Sequence, residues 1–305
     1  MRIGVSLSST HRVDDHRDGA RFMIERARAA HQAGLDHLGV GDHHSSAVPY
    51  YQNVPILGRL LAEWEERPAG ALFLLPLWNP VLLAEQIGTL ASIHSGPFIV
   101  QTGLGSRAPD FAAMGKTMDT RVGDFEETFR IVDALLVGET VSSERFGIVD
   151  AQIAPRPAER VEWWFGTGAD VGLARAARCG AAWYASPGLS FDAGRELAAR
   201  YREHHGAAQR NGGTAGEPKL VLRQDAIVAA TSDAAREAAM PILEGGYRGI
   251  APENLAIGSV EEVTERFAEW RDVGFTDISV RQMSVPQDVA LESLALLGEV
   301  REALQ

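Results

Sequence analysis

The chain carries one cysteine, Cys179, in 305 residues. An intramolecular disulfide framework is therefore excluded, and so is a structural zinc site built from several cysteines. Positive charge is also short: Lys and Arg number 29 against 41 Asp and Glu, a formal net charge of -12 at pH 7. No basic run interrupts this balance in the sequence, so the chain lacks the cationic face that phosphate backbones or anionic membranes require. Its acidity reads as solubility, and neither nucleic acid nor membrane is an expected partner. Hydrophobic runs stop short of the roughly 20 residues that span a bilayer. Met1 is followed directly by a polar-flanked strand pattern, with no basic-then-apolar leader, which is the start expected of a cytoplasmic protein.

Several signatures of catalysis are missing as well. No Gly-x-Gly-x-x-Gly follows the first strand, so the nicotinamide-type dinucleotide fingerprint is absent. No Gly-x-Ser-x-Gly elbow occurs. Gly115-Lys116-Thr117 ends like a phosphate-binding P-loop, but Asp110 stands where that loop needs its first glycine. Cys179 falls in a helical pattern and reads as core.

What is present is a rhythm. Apolar, β-branched runs at 2–7, 35–41, 69–77, 98–102, 162–165, 181–185, 219–230 and 277–280 alternate with amphipathic stretches of helical period. Ser259 and Glu262 have the spacing of a capping box that opens one such helix, and Asn79-Pro80 opens another with proline in its first turn. Residues 138–160 read as a loose connection and 211–216 as a glycine-rich surface loop. Eight strands separated by helices, with no hairpin between them, require a parallel sheet. The expected class is α/β, a (β/α)8 TIM barrel with insertions in its βα loops, formed as a single domain over 1–305; an open doubly wound sheet is the rival.

The stretch 35–44 starts as a strand and ends in Asp42, His43 and His44. In a βα-barrel, side chains at the C-terminal ends of strands do the chemistry. Histidine exchanges protons near neutral pH, so a pair beside a carboxylate suits general acid–base work, against the plainer reading of one loop-ordering and one solvated ring. Neighbouring strand residues point to opposite faces, which would bring one of the two into the barrel mouth. No metal site is expected: His37 and His43 share strand parity but would lie roughly 20 Å apart. Gly166-Thr167-Gly168-Ala169, between a strand and a helix, fits a backbone cradle for a phosphate, and Gly103-Leu104-Gly105-Ser106 has the same form. Either could equally be a sharp turn. Tyr50, Tyr51 and Trp78 lie where they could wall an apolar pocket.

In order along the chain, Ala33-Gly34-Leu35-Asp36 with Asp42-His43-His44, Trp78-Asn79-Pro80 with the helix to Leu90, Gly96-Pro97 through Gly105, and Gly166 to Ala169 with Gly180 and Trp183 resemble the bacterial luciferase-like oxidoreductases. The resemblance covers nearly the whole chain. It implies a TIM barrel with a flavin or deazaflavin ring over the barrel mouth. Asp42-His43 matches the Asp-His of enzymes using the deazaflavin coenzyme F420, whereas the His43-His44 pair is also similar to members using reduced FMN and oxygen, in which Glu commonly precedes the pair. The first expectation is therefore F420-dependent hydride transfer with a small organic substrate. The alternatives are FMN-dependent monooxygenation with a flavin reductase partner, or a non-catalytic flavin-binding barrel. A metal-dependent hydrolase on the same barrel would need a His-x-His pair on strand one, which is absent. The resemblance makes His43, His44 and Asp42 catalytic. It assigns cofactor contacts to Leu72, Phe73, Asn79, Gly105, Ser106, Gly166, Thr167, Gly168 and Ala169, places a non-prolyl cis peptide near Leu72-Phe73, and implies a homodimer. Two departures stand out: Ser106 occupies the place of a catalytic Glu in the sugar-phosphate dehydrogenases, and Gly180-Ala181-Ala182 replaces a common Gly-Asp-Gly.

Overall fold

The computed structural model describes residues 1–213 and 215–305; Thr214, in the expected loop 211–216, lies outside the described residues. In chain order the elements are β1 (Arg2–Leu7), α1 (His16–Gln32), β2 (Leu38–Val40), α2 (Asn53–Leu60), β3 (Ala69–Leu74), α3 (Pro80–Ile93), β4 (Phe98–Gly103), α4 (Ala108–Ala113) and α5 (Arg121–Val137). There follow β5 (Val141–Ser143), β6 (Ile148–Ala151), β7 (Glu162–Gly166), α6 (Asp170–Arg178), β8 (Ala182–Ala185), α7 (Phe191–Arg210), β9 (Leu220–Val228), α8 (Ser232–Glu244), β10 (Ala256–Gly258), α9 (Val260–Val273), β11 (Asp277–Gln282) and α10 (Gln287–Ala303). The fold class is the parallel (β/α)8 TIM barrel, the first of the two architectures that the strand–helix rhythm allows.

The chain forms two compact units. One comprises 1–8, 21–39 and 163–305. In it β7, β8, β9, β11 and β1 pair in that order, all parallel, and β10 extends the ladder at the C-terminal end of β9. The strands are buried on both faces, as helix-covered parallel sheets are. Trp183, Tyr201, Trp270 and Phe275 anchor an aromatic core under α7 and α9. The Ser259–Glu262 capping box forms as the spacing predicts, and α9 ends on left-handed Gly274.

The other unit comprises 9–20 and 40–162. Here β3 pairs with β4, and Asn79 caps α3, its Oδ1 accepting from Val81 N at 3.0 Å and Leu82 N at 3.1 Å. Gly138, in the left-handed conformation, ends α5.

Several expectations are corrected. The run 69–77 is strand only to Leu74, because Pro76 cannot continue a ladder and 75–77 coils into a 3-10 turn. The Leu72–Phe73 peptide is trans; the cis peptide among the described residues is Ala154–Pro155. Both residues sit in unbroken register with Gln101 and Thr102, a ladder that favours the trans geometry. The loose connection 138–160 holds an antiparallel hairpin, β5–β6, and β10 and α4 were not expected. Each is six residues or fewer, too short to print a period. Among the described residues no helix is long and apolar enough to cross a membrane.

Candidate active site

The strand β2 ends at Val40, and the chain then runs as an irregular segment through Asp42, His43 and His44. Strand alternation therefore does not govern the two histidines, and the expectation that they face opposite ways is replaced by two separate settings. Gly41 leaves room for Tyr50: a Cβ there would lie 2.8 Å from the Tyr50 hydroxyl. The segment is tied down from the far side, where Gln52 Nε2 donates to His43 O (3.1 Å) and buried Asn53 donates to Leu72 O (2.8 Å).

Asp42 is buried and works as a brace. Its Oδ2 accepts from Leu74 N at 2.8 Å and from the Trp78 indole N–H at 2.9 Å. Its Oδ1 lies 3.2 Å from His44 Nε2. Two donors and one imidazole thus share one carboxylate, an arrangement that fixes it in place. The Asp42 carboxylate raises the His44 pKa above its ordinary 6.5, outweighing the opposing effect of burial, and Asp110 adds to the rise. His44 also packs edge-on against Trp78, at 5.6 Å between ring centroids. The Trp78 ring meets the Phe73 ring at 5.4 Å on another side.

His43 sits between charges of opposite sign. Its Nδ1 is 3.3 Å from Asp110 Oδ2, and its Nε2 is 3.3 Å from Arg107 Nη1. A guanidinium can only donate, so Nε2 must be the accepting nitrogen and Nδ1 carries the hydrogen toward Asp110. Neutral His43 is thereby set in one tautomer with its lone pair on Nε2. Tyr50 closes its flank, edge-on at 5.4 Å. Asp110 is buried in the first turn of α4, whereas Arg107, just before that helix, is exposed.

The two histidines thus differ in function as in setting. His44 is biased toward the protonated form and suits proton donation. His43 offers an accepting nitrogen and suits proton acceptance once Arg107 yields it. Leu72 and Leu74 are half-buried on β3, while Phe73 is fully buried against Trp78. Asn79 spends its side-chain oxygen on the α3 cap. Gly105, at φ +71°, is required: a Cβ would stand 2.9 Å from Phe111. Ser106 is exposed at the end of that turn. Tyr51 faces elsewhere, its hydroxyl donating to His16 O.

The turn Gly166, Thr167, Gly168 and Ala169 lies in the first-described unit. The Trp183 indole donates to Thr167 O at 2.8 Å and fixes the turn at its base. Thr167 Oγ1 accepts from Ala169 N at 3.3 Å and rests over Gly172, where any side chain would collide with it. Gly168 faces open space. The turn leads into α6, whose first-turn Asp170 is drawn aside by His204 Nε2 at 3.0 Å. A helix N-terminus with a bare glycine before it suits an anionic oxygen.

Sequence reasoning missed Arg107 and Asp110. The only sequence cue is their place immediately after the Gly103–Ser106 turn, since the separation of Asp110 from His43, 67 residues, is too long for any motif to span; what joins them is the route of β4 into α4. It also missed that Trp78 hydrogen-bonds Asp42. Among the described residues no three His, Cys, Asp or Glu side chains are grouped to hold a metal ion.

Comparison with known proteins follows the same lines. The profile of the luciferase-like monooxygenase family matches residues 1–277. An F420-dependent glucose-6-phosphate dehydrogenase of Amycolatopsis mediterranei is 25% identical over 185 residues, covering 57% of this chain and 56% of that protein. A limonene 1,2-monooxygenase of Rhodococcus erythropolis is 27% identical over 165 residues, covering 52% of this chain and 42% of its own length. The chain thus spans about half the length of the curated relatives it matches. A solved monooxygenase from Streptomyces bottropensis superposes with a TM-score of 0.83 at 19% identity, over 98% of each chain, and so shares the fold.

Proposed function

The chain belongs to the luciferase-like monooxygenase family, and from that premise we propose that it is an oxidoreductase using the deazaflavin coenzyme F420 to move a hydride to or from a small organic substrate. The observation that carries the reading is the division of labour at the histidine pair: Asp42 holds His44 toward its protonated form, while Arg107 and Asp110 hold neutral His43 in one tautomer. A redox reaction at carbon needs a proton moved alongside the hydride, and these two rings can give and take it.

The residues fit the coenzyme's parts. In one unit the open glycine turn 166–169 at the start of α6 suits a phosphate; in the other, taken by itself, half-buried Leu72 and Leu74 offer an apolar edge to a flat ring. When bound, the coenzyme supplies the hydride acceptor or donor. The chain's own tasks are to seat it, to fix His44 through Asp42, and to keep the His43 lone pair available at Nε2. Glucose 6-phosphate is not carried over from the relatives, because Ser106 occupies the position that the sugar-phosphate enzymes fill with Glu.

A second reading, monooxygenation with reduced FMN and a flavin reductase, is favoured by the limonene 1,2-monooxygenase match. Titration of the purified protein with F420 and with FMN, each oxidised and reduced, separates the two. Binding of F420 alone supports hydride transfer; preference for reduced FMN supports oxygen chemistry. Binding of neither overturns both, and turnover that survives His43→Ala and His44→Ala overturns the acid–base assignment. Tight binding without turnover over alcohol, imine and enone substrates leaves a flavin-binding barrel.

A further inference from the structure

The register of β9 against β11 sets Arg223 beside Ser279 and Asp225 beside Arg281 on a single face of the sheet. Arg223 reaches Asp225 Oδ1 through both Nε (3.2 Å) and Nη2 (3.1 Å), and the Tyr247 hydroxyl donates to Asp225 Oδ2 at 2.8 Å. Arg248, held in the left-handed conformation (φ 55°) between Tyr247 and Gly249, brings its Nε to 3.9 Å from the same oxygen. Two guanidinium groups, Arg223 and Arg248, therefore meet one fully buried carboxylate, which is already committed to Arg223 and Tyr247, and Arg281 stands level with it in the sheet.

The excess positive charge falls on Arg281. It donates from Nη2 to Ser8 Oγ at 3.0 Å, but its Nε is buried and makes no hydrogen bond. Burial pushes its pKa down to about 10, and the neighbouring Arg223 and Arg248 add to the fall. A buried donor without an acceptor is uncommon in folded proteins and calls for an explanation. Like charges are not gathered around an open donor for the sake of the fold, because their repulsion and desolvation work against it.

We propose that Arg223, Arg248 and Arg281 form a binding site for an oxyanion, a carboxylate or phosphate group borne by the organic substrate. Planar guanidinium groups match both oxyanions with paired N–H donors. Arg281 lies toward the C-terminal end of β11, the end at which ligands of this fold class bind, and Asp225 is level with it in register. Naming the substrate as bearer of the anion rests on the oxidoreductase reading; the capacity to bind an anion does not. Cofactor phosphate is the other possible source of the same chemistry, and the experiment separates the two.

Calorimetric titration at low ionic strength with inorganic phosphate and with succinate tests the site without any turnover. The wild-type protein binds phosphate, Arg281→Gln and Arg248→Gln each weaken binding about tenfold, as expected for loss of a charge-assisted donor, and exposed Arg195→Gln on α7 does not. Arg281→Lys, which keeps charge but loses the fork, is intermediate. Far-UV circular dichroism checks the fold of Arg281→Gln, and the exposed Arg248 serves if that variant fails to fold. No phosphate or succinate binding, or equal binding by the wild type and a folded variant, overturns the site. The same variants are titrated with the coenzyme and with its phosphate-free core. Unchanged affinity for both, with phosphate binding alongside, assigns the anion to the substrate. Selective loss of the phosphorylated form overturns that assignment. Failure to bind any coenzyme counts against the oxidoreductase reading while leaving the anion titration to stand alone.

Discussion

Replacing Asp42 with asparagine tests the brace at the histidine pair. The carboxylate accepts from Leu74 N at 2.8 Å and from Trp78 Nε1 at 2.9 Å, and faces His44 at 3.2 Å. Hydrogen bonds to a charged group contribute about 1.5–3 kcal/mol and neutral ones about 0.5–1.5, so each of the two bonds loses about 1 kcal/mol when Asn keeps the oxygen and drops the charge, or about 2 kcal/mol together. The amide nitrogen is left facing His44. That ring loses the main partner that raises its pKa and keeps the burial that lowers it, with Asp110 alone opposing, so its pKa falls. The sign of the pH dependence follows. A raised histidine pKa in the folded protein stabilises it fully below the unfolded value of about 6.5, and the contribution is lost as pH rises through the folded value. The Asp42→Asn deficit in urea unfolding is therefore larger at about pH 5.5 than at about pH 9. NMR titration of the His44 imidazole reads the cause directly. An unchanged His44 pKa in Asp42→Asn, or a deficit that grows with pH, refutes the brace.

Gly105→Ala puts an L side chain at φ +71° with its Cβ 2.9 Å from Phe111; thermal unfolding should register a loss of about 1–2 kcal/mol from the left-handed backbone, with the contact adding to it. Arg130, helped by Ser143, holds the Glu127 carboxyl down to about 2. Its contribution to stability is present above the ordinary carboxylate range and is lost as pH falls toward about 2, so Glu127→Gln flattens the acid limb of the stability curve in that window. Trp270, 1% exposed, packs against Phe191 and Phe275 at 5.1 and 5.2 Å, and Trp270→Ala costs about 3–5 kcal/mol by chemical denaturation.

How much of this was legible depended on distance along the chain. The Ser259–Glu262 box, the helix start at Asn79-Pro80 and the βα rhythm are local patterns, written within a turn or a strand, and they form as read. The hairpin β5–β6 was illegible because strands of three and four residues, one of them mostly exposed, carry no usable alternation. At the histidine pair the sequence shows the residues side by side but not their settings, because the strand stops at Val40 and the deciding partners come from elsewhere: Leu74 and Trp78 for Asp42, Arg107 and Asp110 for His43. The Arg223–Arg281 cluster is invisible in the sequence for the same reason. An acidic chain without a basic run still brings Arg223 and Arg281 together once two strands fall into register, and Arg248 joins them from the segment after α8.

The Asp42 brace has a consequence for recombining this chain with its relatives. Barrels of this class are attractive for segment exchange because each strand–helix unit looks like a separable module. Here the carboxylate that follows β2 is satisfied by an amide and an indole at the end of β3 and the start of α3. A crossover placed between residues 44 and 69 would separate donor from acceptor while each parental piece remained intact. Chimeras should therefore inherit 42–78 as one block, and libraries cut within it will be enriched in proteins that fold but hold His44 loosely.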